Sequence, residues 1–188
     1  MRVIAGKYRS RPLRSLRGME IRPTADRLRE TLFNVLTAGN PEALEGSSWL
    51  DLFAGTGAVG IEALSRGAGK VRFVESGAPA VELIRKNLES LGIRSGFEIV
   101  QGNVVKSLRR MESGGAVEFV FLDPPYEMSE AYGATLDLLG GSKLVSDGTL
   151  VIAEHRKKFE PGEAFGSLKR YRKLEQGDAV LSFYRREG

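Results

Sequence analysis

The chain has 188 residues, of which 41% are hydrophobic and 28% charged, and it contains no cysteine. This balance is typical of one globular domain, and no apolar run approaches the roughly 18 residues that a membrane helix needs. Without cysteine, neither disulfides nor thiolate metal sites form, and we expect no metal site. The basic start also lacks the apolar stretch of a secretory signal. We therefore expect a single soluble domain over residues 1–188, located in the cytoplasm.

The basic residues are concentrated at the start of the chain. Residues 1–30 carry nine lysine or arginine residues against three acidic ones, so this segment has a net charge of +6 and the remainder −2 of the total of +4. Such a segment is typical of an arm that contacts phosphate groups, although a solvated basic tail has the same composition. The candidate nucleic-acid contacts in this arm are Arg2, Lys7, Arg9, Arg11 and Arg14.

A hairpin and a helix are the first predicted elements. The stretch RVIAGKYRSRPL alternates loosely around a glycine and predicts a short hairpin or extended arm within residues 1–20. The stretch RPTADRLRETLFNVL begins with Pro23 and Thr24 as entry signals and continues with apolar residues at helical spacing. It predicts an amphipathic leading helix over residues 22–37.

Strands and helices alternate in the rest of the chain, residues 48–188. The apolar runs WLDLF, KVRFVE, FEIVQ and VEFVFLDPPY are each followed by a helical pattern, and the run GTLVIAEH comes after the last of these helices. This alternation favours an α/β fold with a mostly parallel, doubly wound sheet. Two final runs, separated by Gly177 and Asp178, predict an antiparallel hairpin that closes the sheet edge.

The segment DLFAGTGAVG, directly after the first strand, contains a formal G-x-G-x-x-G at Gly55, Gly57 and Gly60. Ligands of parallel sheets bind beyond the carboxyl ends of the strands, and glycines let the backbone approach them closely. Glu75 ends the second strand, where an acidic side chain accepts hydrogen bonds from ribose hydroxyls. Asp51 places negative charge at the floor of the cleft, which repels a pyrophosphate but suits the ammonium group of S-adenosylmethionine. The loop therefore indicates an adenosine cofactor, and Asp51 favours S-adenosylmethionine over a dinucleotide.

The run FVFLDPPY places Asp123, Pro124, Pro125 and Tyr126 after an apolar strand, at the same sheet edge as the glycine loop. The prolines stiffen the chain and leave carbonyl groups free to accept hydrogen bonds. An acidic side chain beside such a carbonyl can hold both hydrogens of one amino group, which localises the nitrogen lone pair toward an electrophilic methyl. Tyr126 can stack on the base that carries the amine. These four residues are the predicted catalytic residues, although an isolated Asp-Pro-Pro is often only a turn.

In combination, DLFAGTG, Glu75 and DPPY resemble class I S-adenosylmethionine-dependent methyltransferases that act on planar nitrogens. With the arm and the leading helix, the chain from Arg2 to the final FYRRE resembles the RsmD family, which methylates N2 of a guanine in 16S ribosomal RNA. The resemblance implies S-adenosylmethionine as cofactor and a seven-stranded, Rossmann-like sheet. It also implies 16S ribosomal RNA as partner, in an assembling or assembled small subunit, with guanine 966 as the target.

The resemblance also implies the roles of individual residues. Asp123, Pro124 and Tyr126 hold the target base. Asn103 stands where many relatives of this fold have an aspartate, but an amide oxygen still accepts from the adenine amino group. The implied cofactor-binding residues are Asp51, Phe53, Ala54, Gly55 and Gly57 at the methionine part, Glu75 at the ribose, Asn103 and Val104 at the adenine, and Thr24 and Arg27 closing over the cofactor.

Three other functions remain compatible with parts of the sequence. An oxidoreductase that uses the same glycines leaves DPPY without a role. Another amine methyltransferase, acting on adenine in DNA or RNA or on a protein glutamine, shares the chemistry, but glutamine enzymes usually have asparagine in place of Asp123. A non-catalytic RNA-binding module explains the arm alone. His155 is the one histidine, and at a strand end we expect it to be structural rather than a general base.

Overall fold

The computed structural model describes residues 1–15 and 23–187, and these residues form five α-helices and one mixed sheet. The helices are α1 (Pro23–Thr37), α2 (Ala58–Ser65), α3 (Ala78–Ser90), α4 (Val104–Met111) and α5 (Glu130–Gly141), and a short 3₁₀ helix spans Glu112–Gly114. The strands are β1 (Ser48–Leu52), β2 (Lys70–Glu75), β3 (Phe97–Gln101), β4 (Phe119–Leu122), β5 (Leu150–Arg156), β6 (Ala164–Phe165), β7 (Leu168–Gln176) and β8 (Ala179–Arg186).

The sheet has the strand order β3-β2-β1-β4-β5-β8-β7-β6. Strands β1 to β5 are parallel, and β6, β7 and β8 are antiparallel to their neighbours, so the predicted doubly wound sheet with a C-terminal hairpin is confirmed. The expected number of seven strands is wrong, because the described residues form eight. The additional strand, β6, has two residues and pairs with the start of β7. Two residues are too few for an alternating pattern, and the sequence therefore gives no signal for β6.

The two faces of the sheet have separate apolar cores. Helices α1, α2 and α3 cover one face, and α4 and α5 cover the other. On the α1 face Trp49 stacks between Phe33 of α1 and Phe119 of β4, at ring-centroid distances of 5.5 and 4.6 Å. Side chains of a strand alternate between faces, so Asp51 of β1 lies on the same face as Trp49. The carboxyl ends of β1, β4 and β5 on this face therefore lie beside the start of α1.

The N-terminal arm forms the predicted hairpin and packs against the core. Arg2 and Pro12 form an isolated antiparallel bridge. The buried carboxylate of Glu62, in α2, accepts hydrogen bonds from the amides of Ile4 (2.8 Å) and Ala5 (3.0 Å). The carboxylate thus accepts hydrogen bonds from two backbone amides of the hairpin that no neighbouring strand pairs with. These bonds fix the arm, residues 1–15, to the domain.

The leading helix α1 agrees with the predicted range to within one residue. Its buried face carries Leu28, Leu32 and Phe33. The predicted segment 16–22, which contains Arg17 and Arg22, lies outside the described residues. Among the helices that the structure describes, none combines the length and the apolarity required to cross a membrane.

Candidate active site

A cleft of about 730 Å³ opens at the carboxyl ends of β1 and β4, on the α1 face of the sheet. Residues 53–56, after β1, form one wall, residues 123–127, after β4, form another, and the first half of α1 closes the third side. The cleft brings together eight of the predicted site residues, namely Asp51, Phe53, Ala54, Gly55, Asp123, Pro124, Pro125 and Tyr126. Two segments that are about 70 positions apart in the sequence therefore share one site, as their places at strand ends predict.

The loop after β1 turns by means of three left-handed residues. Phe53, Gly55 and Gly57 have φ values of 59°, 55° and 75°. At Gly57 a Cβ atom would lie 3.2 Å from Cγ1 of Ile84, so both the backbone conformation and the space favour glycine. Phe53 has no such freedom, and a left-handed backbone at this residue costs about 1–3 kcal/mol. This strain lies in the wall of the cleft and was not predicted from the sequence.

Gly60 has a different role from the first two glycines. It lies inside α2, as expected, and a Cβ atom there would lie 2.7 Å from Cγ1 of Val71 and closer still to the ring of Phe73. Its amide donates a hydrogen bond of 2.9 Å to Oδ2 of Asp51. The third glycine therefore permits close packing of α2 on the sheet and holds the acid at the floor of the cleft.

Asp51 is a buried acid with one hydrogen bond to its carboxyl group among the described residues. Burial raises the pKa of Asp51 to about 8, against the hydrogen bond from Gly60, and the charges of Asp123 and Glu75 raise it further. Below this pH the carboxyl is largely protonated. A cationic group of a ligand would stabilise the charged form.

Asp123 follows β4 directly, and burial raises its pKa to about 7. No donor within residues 1–15 and 23–187 bonds to its carboxyl group, so its acceptors face the cleft without a protein partner. Tyr126 is 41% exposed at the rim, where the guanidinium carbon of Arg156 lies 3.9 Å from the centre of its ring. The segment thus offers a free carboxyl group and an aromatic face to the same space.

Glu154, near the end of β5, also lines the cleft and was not predicted. Leu122 of β4 pairs with Ala153 of β5, so Asp123 and Glu154 follow at the next position of the two strands. Burial and the charge of Asp123 raise the pKa of Glu154 well above its usual value, and Arg29 opposes this shift. The sequence carried a signal, because GTLVIAEH places an acid at the end of an apolar strand as WLDLF and FVFLDPPY do.

The residues predicted at the adenosine end lie outside the wall of this cleft. Glu75 braces the glycine loop, since its two carboxylate oxygens accept from the amides of Gly55 (2.9 Å) and Gly77 (2.7 Å). The side-chain oxygen of Asn103 accepts from a backbone amide in the first turn of α4 (3.1 Å), and Val104 is buried in the core. Their roles toward adenosine stay predictions.

Thr24 and Arg27 of α1 are the residues predicted to close over the cofactor. The side chain of Thr24 lies outside the described residues, and Arg27 is exposed and lies outside the cleft wall. Arg29, two positions later, lines the cleft and donates to Asp26 at 3.0 Å. His155 is buried, with Nε2 2.9 Å from Oγ of Ser182, and it lies outside the cleft wall, so its contacts are structural as expected.

The five basic candidates of the arm, Arg2, Lys7, Arg9, Arg11 and Arg14, are all exposed. Both ends of the described arm, Met1 and Ser15, line the cleft. The side chain of Asn87, in α3, bonds to the backbone of Arg14 and to the carbonyl of Thr56 in the glycine loop. The positive charge of the arm is therefore held next to the cleft.

The order of parallel strands, the reversed C-terminal strand and the cleft beyond β1 and β4 define the fold of class I methyltransferases. A family model described as "Conserved hypothetical protein 95" matches residues 1–185. The chain therefore belongs to this family, the RsmD family.

Known relatives agree with this assignment. The Ribosomal RNA small subunit methyltransferase D of Haemophilus influenzae is 36% identical over 158 residues, which are 84% of this chain and 79% of the relative. The solved structure of yhhF from Escherichia coli has a TM-score of 0.83 and 27% identity, and covers 100% of this chain and 98% of its own. The 16S rRNA N2 G1207 methyltransferase RsmC of Thermus thermophilus shares the fold, with a TM-score of 0.71 and 21% identity over 92% of this chain and 45% of its own.

Proposed function

We propose that the protein transfers a methyl group from S-adenosylmethionine to the exocyclic N2 of a guanine in 16S ribosomal RNA. Methylation of ribosomal RNA with S-adenosylmethionine agrees with the family and with the names of its relatives. We further propose that the methylated atom is N2 and that the base is guanine 966. The substrate would be the RNA of the small ribosomal subunit, and the protein would act in the cytoplasm. The observation that carries it is the free carboxyl group of Asp123, which shares one cleft with the glycine loop.

The residues of the loop fit S-adenosylmethionine. This cofactor supplies an electrophilic methyl group on a sulfonium. Asp51 is a buried acid that a ligand ammonium would stabilise in its charged form, and the left-handed Gly55 lines the cleft and leaves the backbone open to close approach. Gly57 lies outside the cleft wall, where its missing side chain makes room for Ile84 and Phe73. Glu75 adjoins the loop through its bond to Gly55 and would accept from the ribose hydroxyls. A pyrophosphate close to Asp51 would raise the cost of ionising this acid further, whereas an ammonium would lower it, so the loop favours S-adenosylmethionine over a dinucleotide.

The loop after β4 fits an exocyclic amine. The carboxyl of Asp123 and the carbonyl of Pro124 would accept the two hydrogens of N2, which directs the nitrogen lone pair out of the ring plane. As the bond from sulfur to methyl breaks and the bond from methyl to nitrogen forms, one N2 proton must leave. A carboxyl group with a pKa of about 7 is suited to take it up near neutral pH. Tyr126 would stack on the base, and positioning supplies most of the rate.

The position of Asp123 inside the cleft favours a target base that is not stacked in a duplex. Asp123 lies in the cleft at the end of a buried strand, so the base must leave its stack to reach it. Extrusion costs least in a loop or single strand, which favours an unpaired guanine. The exposed basic side chains of the arm lie beside the cleft and would bind the neighbouring phosphates.

Nucleoside mass spectrometry tests the reaction. Ribosomal RNA from cells that lack the gene should lose one N2-methylguanosine, and the gene should restore it. A gene that encodes Asp123→Asn should not restore it, whereas Asp137→Asn, on the exposed side of α5, should. Purified Asp123→Asn should lose at least about 100-fold in methyl transfer and keep its affinity for S-adenosylmethionine. Loss of a methyladenosine instead, or tight NAD binding without S-adenosylmethionine binding, would refute the proposal.

A second measurement tests the arm. Replacing Arg9, Arg11 and Arg14 by glutamine should weaken RNA binding and reduce its dependence on salt, because fewer counterions are released from phosphates. The affinity for S-adenosylmethionine should not change. A fall in that affinity at unchanged RNA binding would contradict the role of the arm.

A further inference from the structure

We propose that Glu154 forms a subsite for the N1–H group of the target base, and that this carboxylate makes the site specific for a purine with a donor at N1. The inference rests on the proposed function, because it concerns the base whose N2 atom Asp123 holds. It goes beyond that function by naming the residue that separates guanine from other purines with a 2-amino group.

The place of Glu154 in the sheet supports this role. Strands β4 and β5 are parallel neighbours, and the paired positions Leu122 and Ala153 put Asp123 and Glu154 side by side at the next step. Adjacent strands are about 4.8 Å apart. Ile152, two residues before Glu154, belongs to the core on the α1 face, so the Glu154 side chain belongs to that face as well. Both acids line the same cleft.

The carboxyl group of Glu154 lacks a donor from the protein. Among the residues that the structure describes, none donates a hydrogen bond to it. Tyr132 bonds to the backbone carbonyl of Glu154 (2.7 Å) and not to its side chain. Neither nearby cation donates a hydrogen bond to it: Nη2 of Arg29 donates to Asp26 and to a backbone carbonyl, so this guanidinium acts on Glu154 only through its charge, and Arg156 stacks on Tyr126. A largely buried acceptor without a donor favours a ligand that supplies one.

Guanine supplies such donors in adjacent positions. Its edge presents the two hydrogens of N2 and, next to them, the hydrogen of N1. Two neighbouring acids therefore meet two neighbouring donor groups, with Asp123 at N2 and Glu154 at N1. A purine with a bare N1 turns a lone pair toward Glu154, which repels the ionised carboxylate and can bond only to its protonated form. Sites built to bond a donor reject analogues that lack it by large factors.

An RNA with one altered base tests the subsite. The target guanosine is replaced by 2,6-diaminopurine riboside, which keeps the 2-amino group but has a bare N1. Wild-type protein should prefer guanine by at least about 100-fold in kcat/KM. Glutamine presents either an oxygen or an amino group, so Glu154→Gln should methylate 2,6-diaminopurine faster than wild type and lower the preference at least about tenfold. Glu130→Gln, an exposed acid at the start of α5, serves as the control and should keep the wild-type preference.

The outcomes separate the two proposals. An unchanged preference in Glu154→Gln would overturn the subsite and leave the proposed function intact, because wild type still methylates guanine. Loss of S-adenosylmethionine binding in Glu154→Gln would place the residue at the cofactor and would also overturn the subsite. If wild type methylates no guanine at N2, the proposed function fails and the subsite with it.

Discussion

Binding of S-adenosylmethionine should release protons near neutral pH. Burial raises the pKa of Asp51 to about 8, so this carboxyl is mostly protonated at pH 7. An ion pair with the ligand ammonium requires the charged form. We therefore expect close to one proton to leave Asp51 on binding at pH 7.

Calorimetry measures this release directly. Titrations in phosphate and in Tris at pH 7 differ in apparent enthalpy by the number of protons released times the difference in buffer ionisation enthalpy. Below the pKa of Asp51, the dissociation constant should rise by up to about tenfold for each unit that the pH falls. The dissociation constant should be measured below about pH 7.5, because the α-amino group of the ligand itself titrates at about 7.7–8.0. Asp51→Asn should bind more weakly and lose most of the release.

The same pKa predicts the pH dependence of stability without ligand. The folded chain keeps a proton on Asp51 and Asp123 in a range where the unfolded chain has lost it. The free energy of unfolding should therefore fall as the pH rises from about 4 to about 8, by up to about 1.4 kcal/mol per pH unit for each group. Asp51→Asn should flatten this slope. Binding enthalpies that do not depend on the buffer, or tight binding by Asp51→Asn, would refute the assignment of Asp51 to the ligand cation.

Further variants test the packing and the rim of the site. Gly60→Ala should lower the free energy of unfolding by about 1–3 kcal/mol in urea titrations, since the new Cβ overlaps the ring of Phe73. Glu62→Gln should cost about 3 kcal/mol, because it leaves the buried Arg29 and the partly buried Arg66 without their carboxylate partner. It should also speed amide exchange in residues 1–15, whereas unchanged exchange would contradict its role in holding the arm. Tyr126→Ala should raise the KM for RNA about tenfold and Tyr126→Phe should leave it nearly unchanged, because stacking needs the ring alone.

Elements with a local period could be predicted from the sequence. The bounds of β2 and β3 agree residue for residue with the predicted runs KVRFVE and FEIVQ. The reversal after β1 was predicted at the glycines but not at Phe53. Its left-handed backbone follows from the path between β1 and α2, which the whole fold imposes on a residue that does not favour it.

Side chains that meet only through strand register were harder to predict. Asp123 was identified by its motif, whereas Glu154 belongs to the site because β5 pairs with β4 in one particular register. Arg29 was missed for a related reason. The helical period gives the buried face of α1, but it does not say which sheet edge that face covers, and the resemblance implied Arg27 without pointing to Arg29.

The acids of three neighbouring strands decide which ligands the cleft accepts. Asp51, Asp123 and Glu154 stand at the ends of β1, β4 and β5, which are adjacent in the sheet, and burial raises the pKa of all three. A phosphate in this cleft would add charge of the same sign and raise the cost of ionising each acid. A ligand with an ammonium and a sulfonium, together with a base edge that presents only donors, lowers that cost at every acid. The glycine spacing alone fits a dinucleotide equally well, so under the proposed function the acids beside the loop carry the specificity for the methyl donor and for guanine.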